Sequence, residues 1–385
     1  MAACGVGHPG DEGLHLLPAL TRNGARGLHL WVGLLTAVTA ILMAVTGMLV
    51  THSGRFGLGV EGPPEQRGTG ELTAVAEIND LLKAALREAV ARDIRLVNRI
   101  GRSRPASGPS AIDRAVFRPE TRTVQVRLRD AKTTEMVLDW STGTILNVTS
   151  RMDMRLRHVH AATILSTHGV VISDVMAVAL LLLVLTGIVL WIAATREKGR
   201  RIGTPTRWWN FNWWFHRVGG LIVSIYLSVI CVSGVMLNHK HEFGLMIEPA
   251  RQLEAEYVAR QTPTRLHVMI RTAVQALSRR DPSVTANDVA VVDYRPLRGY
   301  GKVRFKKNDM EVVVNAYDGE ILSIGRRRDL FIEKLHTGAA LGDYGFLVSD
   351  LTGILLILLT VNGLYLWVKP AWIGRGRPEF EGAGT

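Results

Sequence analysis

Four stretches of the chain are apolar on every side: roughly Leu30 to Val50, Val170 to Ala193, Val218 to Leu237 and Phe346 to Val368. Crossing a hydrocarbon layer of roughly 30 Å takes about 20 helical residues, and each stretch has that length. A helix on the surface of a soluble domain would carry a polar stripe with a period of 3.6, and these do not, so the pattern predicts four transmembrane helices. The two long connections are patterned differently. In the first, Glu71 to Val90 follows a helical period, Val124, Val126 and Leu128 alternate as a half-buried strand, and Met136 to Trp140 runs into a Ser-Thr-Gly turn. The second has a helix at Leu266 to Leu277, strands at Lys302 to Phe305 and Glu311 to Val314, and a Tyr-Asp-Gly turn. Ser103 to Ser110, rich in Pro, Gly and Ser, reads as a loop.

The two halves resemble each other. His29-Leu-Trp-Val-Gly33-Leu34 aligns with His216-Arg-Val-Gly-Gly220-Leu221 at an offset of 187, which also brings Thr46-Gly47 onto Ser233-Gly234 and His52 onto His239. At an offset of 176, His160, Gly169, Ser173, Asp174, Gly187 and Trp191 fall on His336, Gly345, Ser349, Asp350, Gly363 and Trp367. The same offset pairs Asp139-Trp-Ser-Thr-Gly143 with Asn315-Ala-Tyr-Asp-Gly319 in the connections. The expected fold is therefore a four-helix transmembrane bundle with two small α+β domains and an internal pseudo-two-fold repeat.

Charge orients this arrangement. The chain has 385 residues and a formal charge of +12. Arg196, Lys198, Arg200, Arg201 and Arg207 crowd the connection between the second and third helices, Lys369, Arg375 and Arg377 follow the fourth, and Arg22 and Arg26 precede the first. Short basic segments stay cytoplasmic, which places the long connections on the outer side. The expected division is a cytoplasmic tail (1–28), first helix (29–52), outer domain (53–157), second helix with its leading segment (158–193), cytoplasmic loop (194–214), third helix (215–239), second outer domain (240–335), fourth helix with its leading segment (336–368) and cytoplasmic tail (369–385). The first apolar run is longer than a leader peptide, and no small-residue cleavage site follows it, so it reads as a retained helix. Trp208, Trp209, Trp213 and Trp214, with Trp31, Trp191, Trp367 and Trp372, read as an aromatic belt at the cytoplasmic interface. Two cysteines, Cys4 and Cys231, allow no disulfide in the outer domains and no Cys-x-x-Cys-His attachment, so any haem is held non-covalently. Gly57 and Gly59 lack the strand and helix of a dinucleotide fold, and no nucleic-acid partner is expected.

The His-x-x-x-Gly-Leu openings of helices one and three, the Thr/Ser-Gly pairs near their ends, the Leu335-His336 segment and the Asp-x-x-x-Gly-x-Ile turn resemble the PepSY-associated transmembrane proteins, over about residues 26 to 372. His29 and His216 are followed by Leu and Arg, where that family usually has Arg then Trp. The resemblance implies PepSY-like periplasmic domains in a multi-pass protein of the bacterial inner membrane. Within the family, the paired histidines make the chain look like the ferric-siderophore reductases (ferrioxamine reductase-like), which implies two b-type haems, each held by two histidines. It also implies a ferric siderophore as substrate and a cytoplasmic reductase or quinol as electron donor.

Six of the twelve histidines fall into three matched pairs at the membrane boundaries: His29 with His216, His52 with His239, and His160 with His336. Helix bundles build cofactor sites from facing side chains, and a bis-imidazole haem needs two neutral rings about one iron. His29 and His52 stand about one bilayer apart on a helix, so His29 and His216 belong to the inner side and the other two pairs to the outer side. Three outer arrangements are open: His52 with His239, His160 with His336, or a mixed pair such as His52 with His160. His158, His168 and His241 read as interface residues. Asp174 and Asp350, each after a serine, read as helix caps or as second-shell or proton-handling carboxylates. Arg151, Arg155 and Arg157, with Arg326, Arg327 and Arg328, are candidates to neutralise haem propionates. Gly47, Gly187, Gly234 and Gly363 make room for close helix packing or a porphyrin face. Two other readings compete: a non-enzymatic membrane protein binding or inhibiting a periplasmic partner, and a transporter coupled to protons through Asp174 and Asp350.

Overall fold

A computed structural model describes residues 12–58, 66–96, 108–165, 168–196, 208–254, 258 and 261–374. Cys4, Gly59, Lys198, Arg200, Arg201, Arg207, Arg375 and Arg377 lie outside the described residues, as does most of the Ser103 to Ser110 loop. The chain divides into a helical unit (1–51, 159–238 and 333–385) and a sheet unit (52–158 and 239–332).

The helical unit is built from α1 (Glu12–Thr51), α4 (Gly169–Arg196), α5 (Trp208–Asn238) and α8 (Phe346–Gly374). Each contains a span long and apolar enough to cross a bilayer: Asn23–Thr51, Gly169–Thr195, Phe211–Asn238 and Phe346–Val368. Their outward side chains are apolar, with Leu35, Val38, Val175, Ile222, Ile225 and Leu351 exposed, a surface suited to lipid. Inside, Ala40, Leu180, Val223, Leu227 and Leu359 form the packed centre. Helices α1 and α5 each pack against α4 and α8, so α1 and α5 lie on one diagonal of the bundle and α4 and α8 on the other.

The sheet unit has α2 (Ile78–Ala91), α6 (Leu266–Ser278) and eight strands. Strands β1 (Ile112–Arg118), β2 (Thr123–Leu128), β3 (Thr134–Asp139) and β4 (Ile145–Ser150) form one antiparallel meander. A second meander comprises β5 (Val289–Arg295), β6 (Tyr300–Phe305), β7 (Met310–Asn315) and β8 (Ile321–Arg326). The sequence pattern predicts two separate small sheets. Instead, β1 pairs antiparallel with β5 through Ala115↔Tyr294, Val116↔Asp293 and Phe117↔Val292, giving a single sheet in the order β4-β3-β2-β1-β5-β6-β7-β8. Pairing β1 with β5 removes two open edges at once.

Alternation along the strands sorts the faces. Val124, Val126 and Leu128 of β2, Met136 and Leu138 of β3, and Val312 and Val314 of β7 turn toward α2 and α6. From the helices, Ile78, Leu81, Leu82, Ala85 and Ala89, with Leu266, Met269, Ile270, Ala273 and Leu277, fill the same core at helical spacing. The residues between them carry ion pairs. Arg151 binds Glu135 at 3.0 Å and Asp153 at 2.6 Å, and Arg127 reaches Glu135 at 3.1 Å. In the second half Arg327 binds Asp329 and Arg304 binds Glu311, both at 2.8 Å. At the seam, Asp293 meets Arg295 at 3.0 Å, Arg304 at 3.2 Å and Arg114 at 3.5 Å. The shared turn motif has a plain structural role: the Asp139 carboxylate accepts hydrogen bonds from the Thr69, Ser141 and Thr142 amides, and Gly143 takes a φ of +71° to close the turn.

Candidate functional site: two facing imidazole pairs

Two short helices of the chain end in histidine segments. α3 (Met152–His160) ends on His160, and α7 (Asp329–Thr337) carries His336 in its last turn. Tyr226 of α5 holds this turn by donating to the Leu335 carbonyl at 2.7 Å. The structure brings the His160 and His336 rings together with centroids 6.2 Å apart and planes crossed at 72°. On the bundle's diagonal, His29 of α1 and His216 of α5 meet in the same way, at 6.2 Å and 89°.

That separation has a chemical meaning. Two imidazoles binding one metal from opposite sides through Nε2 would have centroids about 6.2–6.4 Å apart, twice the sum of a metal–nitrogen distance of roughly 2.0–2.1 Å and about 1.1 Å from nitrogen to ring centre.

Hydrogen bonding fixes the tautomer in three of the four rings. The His160 Nδ1 lies 3.1 Å from the Met43 carbonyl, and the His336 Nδ1 lies 3.1 Å from the Ile230 carbonyl. A carbonyl only accepts, so each Nδ1 carries the proton, and in the neutral ring Nε2 keeps the lone pair. Thr46 and Ser233 stand beside the same nitrogens at 3.2 Å and 3.1 Å. Thr186 lies 2.9 Å from the His29 Nδ1 and already donates its own proton to the Leu182 carbonyl at 2.7 Å, so it accepts from the imidazole. A histidine whose Nδ1–H is engaged this way is oriented and made more basic at Nε2. Burial, reinforced by the neighbouring His160, pushes His336 down to about 4, so its ring is neutral.

The residue after each of these partners is glycine, and the ring lies on it. A Cβ at Gly47 would stand 3.1 Å from the His160 Cε1, at Gly234 3.2 Å from the His336 Cε1, at Gly363 3.3 Å from the His216 Cε1 and at Gly187 3.4 Å from the His29 Cε1. These are the four glycines expected to provide space. What they make room for is the edge of an imidazole. Thr186 and Asn362, which precede Gly187 and Gly363, escaped the sequence reading. The signal for them is the Thr/Ser-Gly dipeptide already visible at Thr46-Gly47 and Ser233-Gly234.

The remaining candidates lie elsewhere. The His52 ring meets Phe56 edge-on at 6.4 Å, and the His239 Nδ1 is 3.8 Å from Glu242. His241 faces Glu248 at 3.3 Å. Arg151 and Arg327 are engaged by carboxylates of the sheet unit. Capping by Asp174 and Asp350 is corrected: α4 begins at Gly169 and α8 at Phe346, so both aspartates sit inside their helices. Asp174 accepts instead from the Asn238 amide at 2.9 Å, which also donates to Ser173 at 2.8 Å.

Each pair offers two imidazole nitrogen donors. Among the described residues no group of three or more His, Cys, Asp or Glu side chains gathers as a metal cage. A planar macrocycle that brings its own four nitrogens fits such a donor set, and haem is that kind of group. The facing rings, three of them with Nδ1 engaged, and the glycine seats fit it.

A four-helix membrane bundle joined to an antiparallel sheet unit defines the class. The chain matches the PepSY-associated TM region family over residues 26–265 and 213–381, and it belongs to that family. No curated protein matches it.

Proposed function

We propose that the protein is a dihaem b-type reductase of the bacterial inner membrane, which passes electrons from a cytoplasmic reductase or quinol to a ferric siderophore in the periplasm. The observation that supports this reading is the pair of 6.2 Å imidazole contacts. His29 and His216 would hold one haem and His160 and His336 the other. Haem bound at these positions supplies a one-electron ferric/ferrous couple.

The residues themselves orient and shield. Thr186 and the Met43 and Ile230 carbonyls keep three imidazoles in the Nδ1–H tautomer, and the apolar bundle excludes water from between the levels. On α1, His29 and the Gly47 seat of His160 are eighteen residues apart, a rise of roughly 27 Å, so the two pairs sit near opposite faces of a hydrocarbon layer of about 30 Å. The basic connection and tails support a cytoplasmic His29–His216 level and a periplasmic sheet unit. One electron converts the bound ferric ion to Fe(II), which suits hard oxygen ligands less well and leaves the chelate.

The test is the absorption spectrum and haem content of the purified full-length protein. Two haems per chain are expected, with one lost in His29→Ala or His216→Ala, the other lost in His160→Ala or His336→Ala, and both kept in His52→Ala and His239→Ala. A colourless protein whose function survives these substitutions would favour the partner-binding reading and end this one.

A further inference from the structure

The four imidazole seats are not equivalent. In three of them a hydroxyl faces Nδ1: Thr186 for His29, Thr46 for His160 and Ser233 for His336. In the fourth, Asn362 stands where the first half has Thr186. Its Nδ2 is committed to the Asn212 carbonyl at 2.9 Å, and its Oδ1 is buried without a hydrogen bond. The His216 Nδ1 is likewise buried and no side chain hydrogen-bonds it; the Leu359 carbonyl is the backbone acceptor beside it, as the Leu183 carbonyl is beside His29. Turning the Asn362 amide over would set its oxygen against the Asn212 carbonyl, acceptor against acceptor, so its orientation is fixed.

The consequence follows from ligand basicity and rests on the haem reading above. A hydrogen bond donated from Nδ1 raises electron density on the ring and makes Nε2 a stronger donor, which favours ferric over ferrous iron. We propose that Asn362 is a positioning residue that leaves His216 the weakest donor of the four, so that iron held by His29 and His216 has the higher reduction potential of the two sites. Its effect passes through His216, since its amide nitrogen is committed to the Asn212 carbonyl and it presents no hydroxyl to the ring.

The experiment is a redox titration of purified, haem-loaded, full-length protein followed in the cytochrome absorption bands. The wild type is expected to titrate with two separable potentials. Asn362→Thr, which installs the hydroxyl of the other three seats, should lower the higher potential by up to about tenfold in the ferric-to-ferrous ratio, about 59 mV for one electron, and leave the lower one in place. In a His160→Ala background, which removes the other site, the shifted component should persist. Where Asn362→Thr does not accumulate as folded protein, Thr186→Val serves: removing the acceptor from His29 should raise the same potential. Shifts in neither component, or a shift in the component that disappears with His160→Ala, overturn the proposal while leaving the haem reading standing. A wild type without cytochrome bands defeats both.

Discussion

Substituting Gly47 by alanine tests the site through one methyl group. The new Cβ would lie 3.1 Å from the His160 Cε1 and 3.6 Å from its Nδ1. Nonbonded carbons settle about 3.5–4.0 Å apart, so the ring must retreat from α1 by roughly 0.4–0.9 Å. Retreat stretches the Nδ1 contacts to Met43 and Thr46, now 3.1 Å and 3.2 Å, to the limit of hydrogen bonding or past it. It also exceeds the tolerance of about 0.2 Å on a metal–ligand distance. Disturbing ligand orientation on this scale costs on the order of 10–100-fold in affinity. The helix itself gains, because alanine is favoured over glycine in a helix by about 1 kcal/mol, so loss of fold does not account for loss of cofactor. The expected result is a folded protein with one haem per chain in place of two, measured as haem-to-protein ratio and spectrum. Gly187→Ala, where the new contact is 3.4 Å, should have a milder effect on the other site. A Gly47→Ala protein with two haems and an unchanged spectrum would refute the reasoning, as would one that loses both.

Two further predictions concern the sheet unit. Asp293 is fully buried, with three guanidinium groups around it that are each about a quarter exposed. Asp293→Ala takes this carboxylate from Arg295 while Arg304 keeps Glu311 and Arg114 keeps Asp113, and should cost no more than the lower end of roughly 3–5 kcal/mol, read as a lower urea midpoint for proteolysis of the full-length protein; an unchanged midpoint refutes it. Asp139, Asp153 and Asp329 are held below their ordinary 3.8: burial works upward, but hydrogen bonds from Ser141, Thr142 and Thr69 at the first, and from Arg151 and Arg327 at the others, outweigh it. A carboxylate depressed by folding contributes stability that is complete above its unfolded pKa and is lost as pH falls, so the urea midpoint should drop below about pH 4. Asp139→Asn, which copies Asn315 in the matching turn, should flatten that dependence; a slope equal to wild type counts against the assignment.

The helices were legible because their signal is length and uniform apolarity, which no local chemistry disguises. The α1 and α5 histidines could be placed for the same reason, since spacing along a helix is distance. The joining of β1 to β5 was not legible: the Ile112–Arg118 and Val289–Arg295 segments mix apolar residues with Asp and Arg, and the charges that spoil the alternation are the ones paired across the finished sheet. The outer pairing was open for a related reason. His52 lies just beyond the end of α1 and has the better helical register, but His160 reaches its position through α3, whose direction depends on contacts far apart in sequence, such as Met43 and Thr46. The hydroxyl at Thr186 is one of many threonines in a membrane helix until its neighbour Gly187 is seen to carry an imidazole.

The arrangement of seats and rings explains why a half of this chain is not a half-sized version of the whole. Helix α1 supplies the His29 imidazole at one level and the Thr46-Gly47 seat at the other, while α4 supplies the Thr186-Gly187 seat for His29, and α3 supplies the ring that rests on α1. Within the first half, then, each ring is seated by a neighbouring element of that half, and the same holds for His216 on Gly363 and His336 on Gly234 in the second. Seating is settled inside each half; facing is not. Each ring's 6.2 Å partner comes from the other half, across the diagonal in the case of α1 and α5. A site that draws its hydrogen bonds and glycine seats locally and its two rings from opposite halves lets one seat vary without moving the opposing ring. The exchange of Thr186 for Asn362 is such a variation: the ring still rests on its glycine, where an added Cβ would stand 3.3 Å from the His216 Cε1, while its Nδ1 environment has changed. Under the haem proposal, this separates donor strength at one ring from the geometry of the pair, the condition for two sites of the same build to differ in potential.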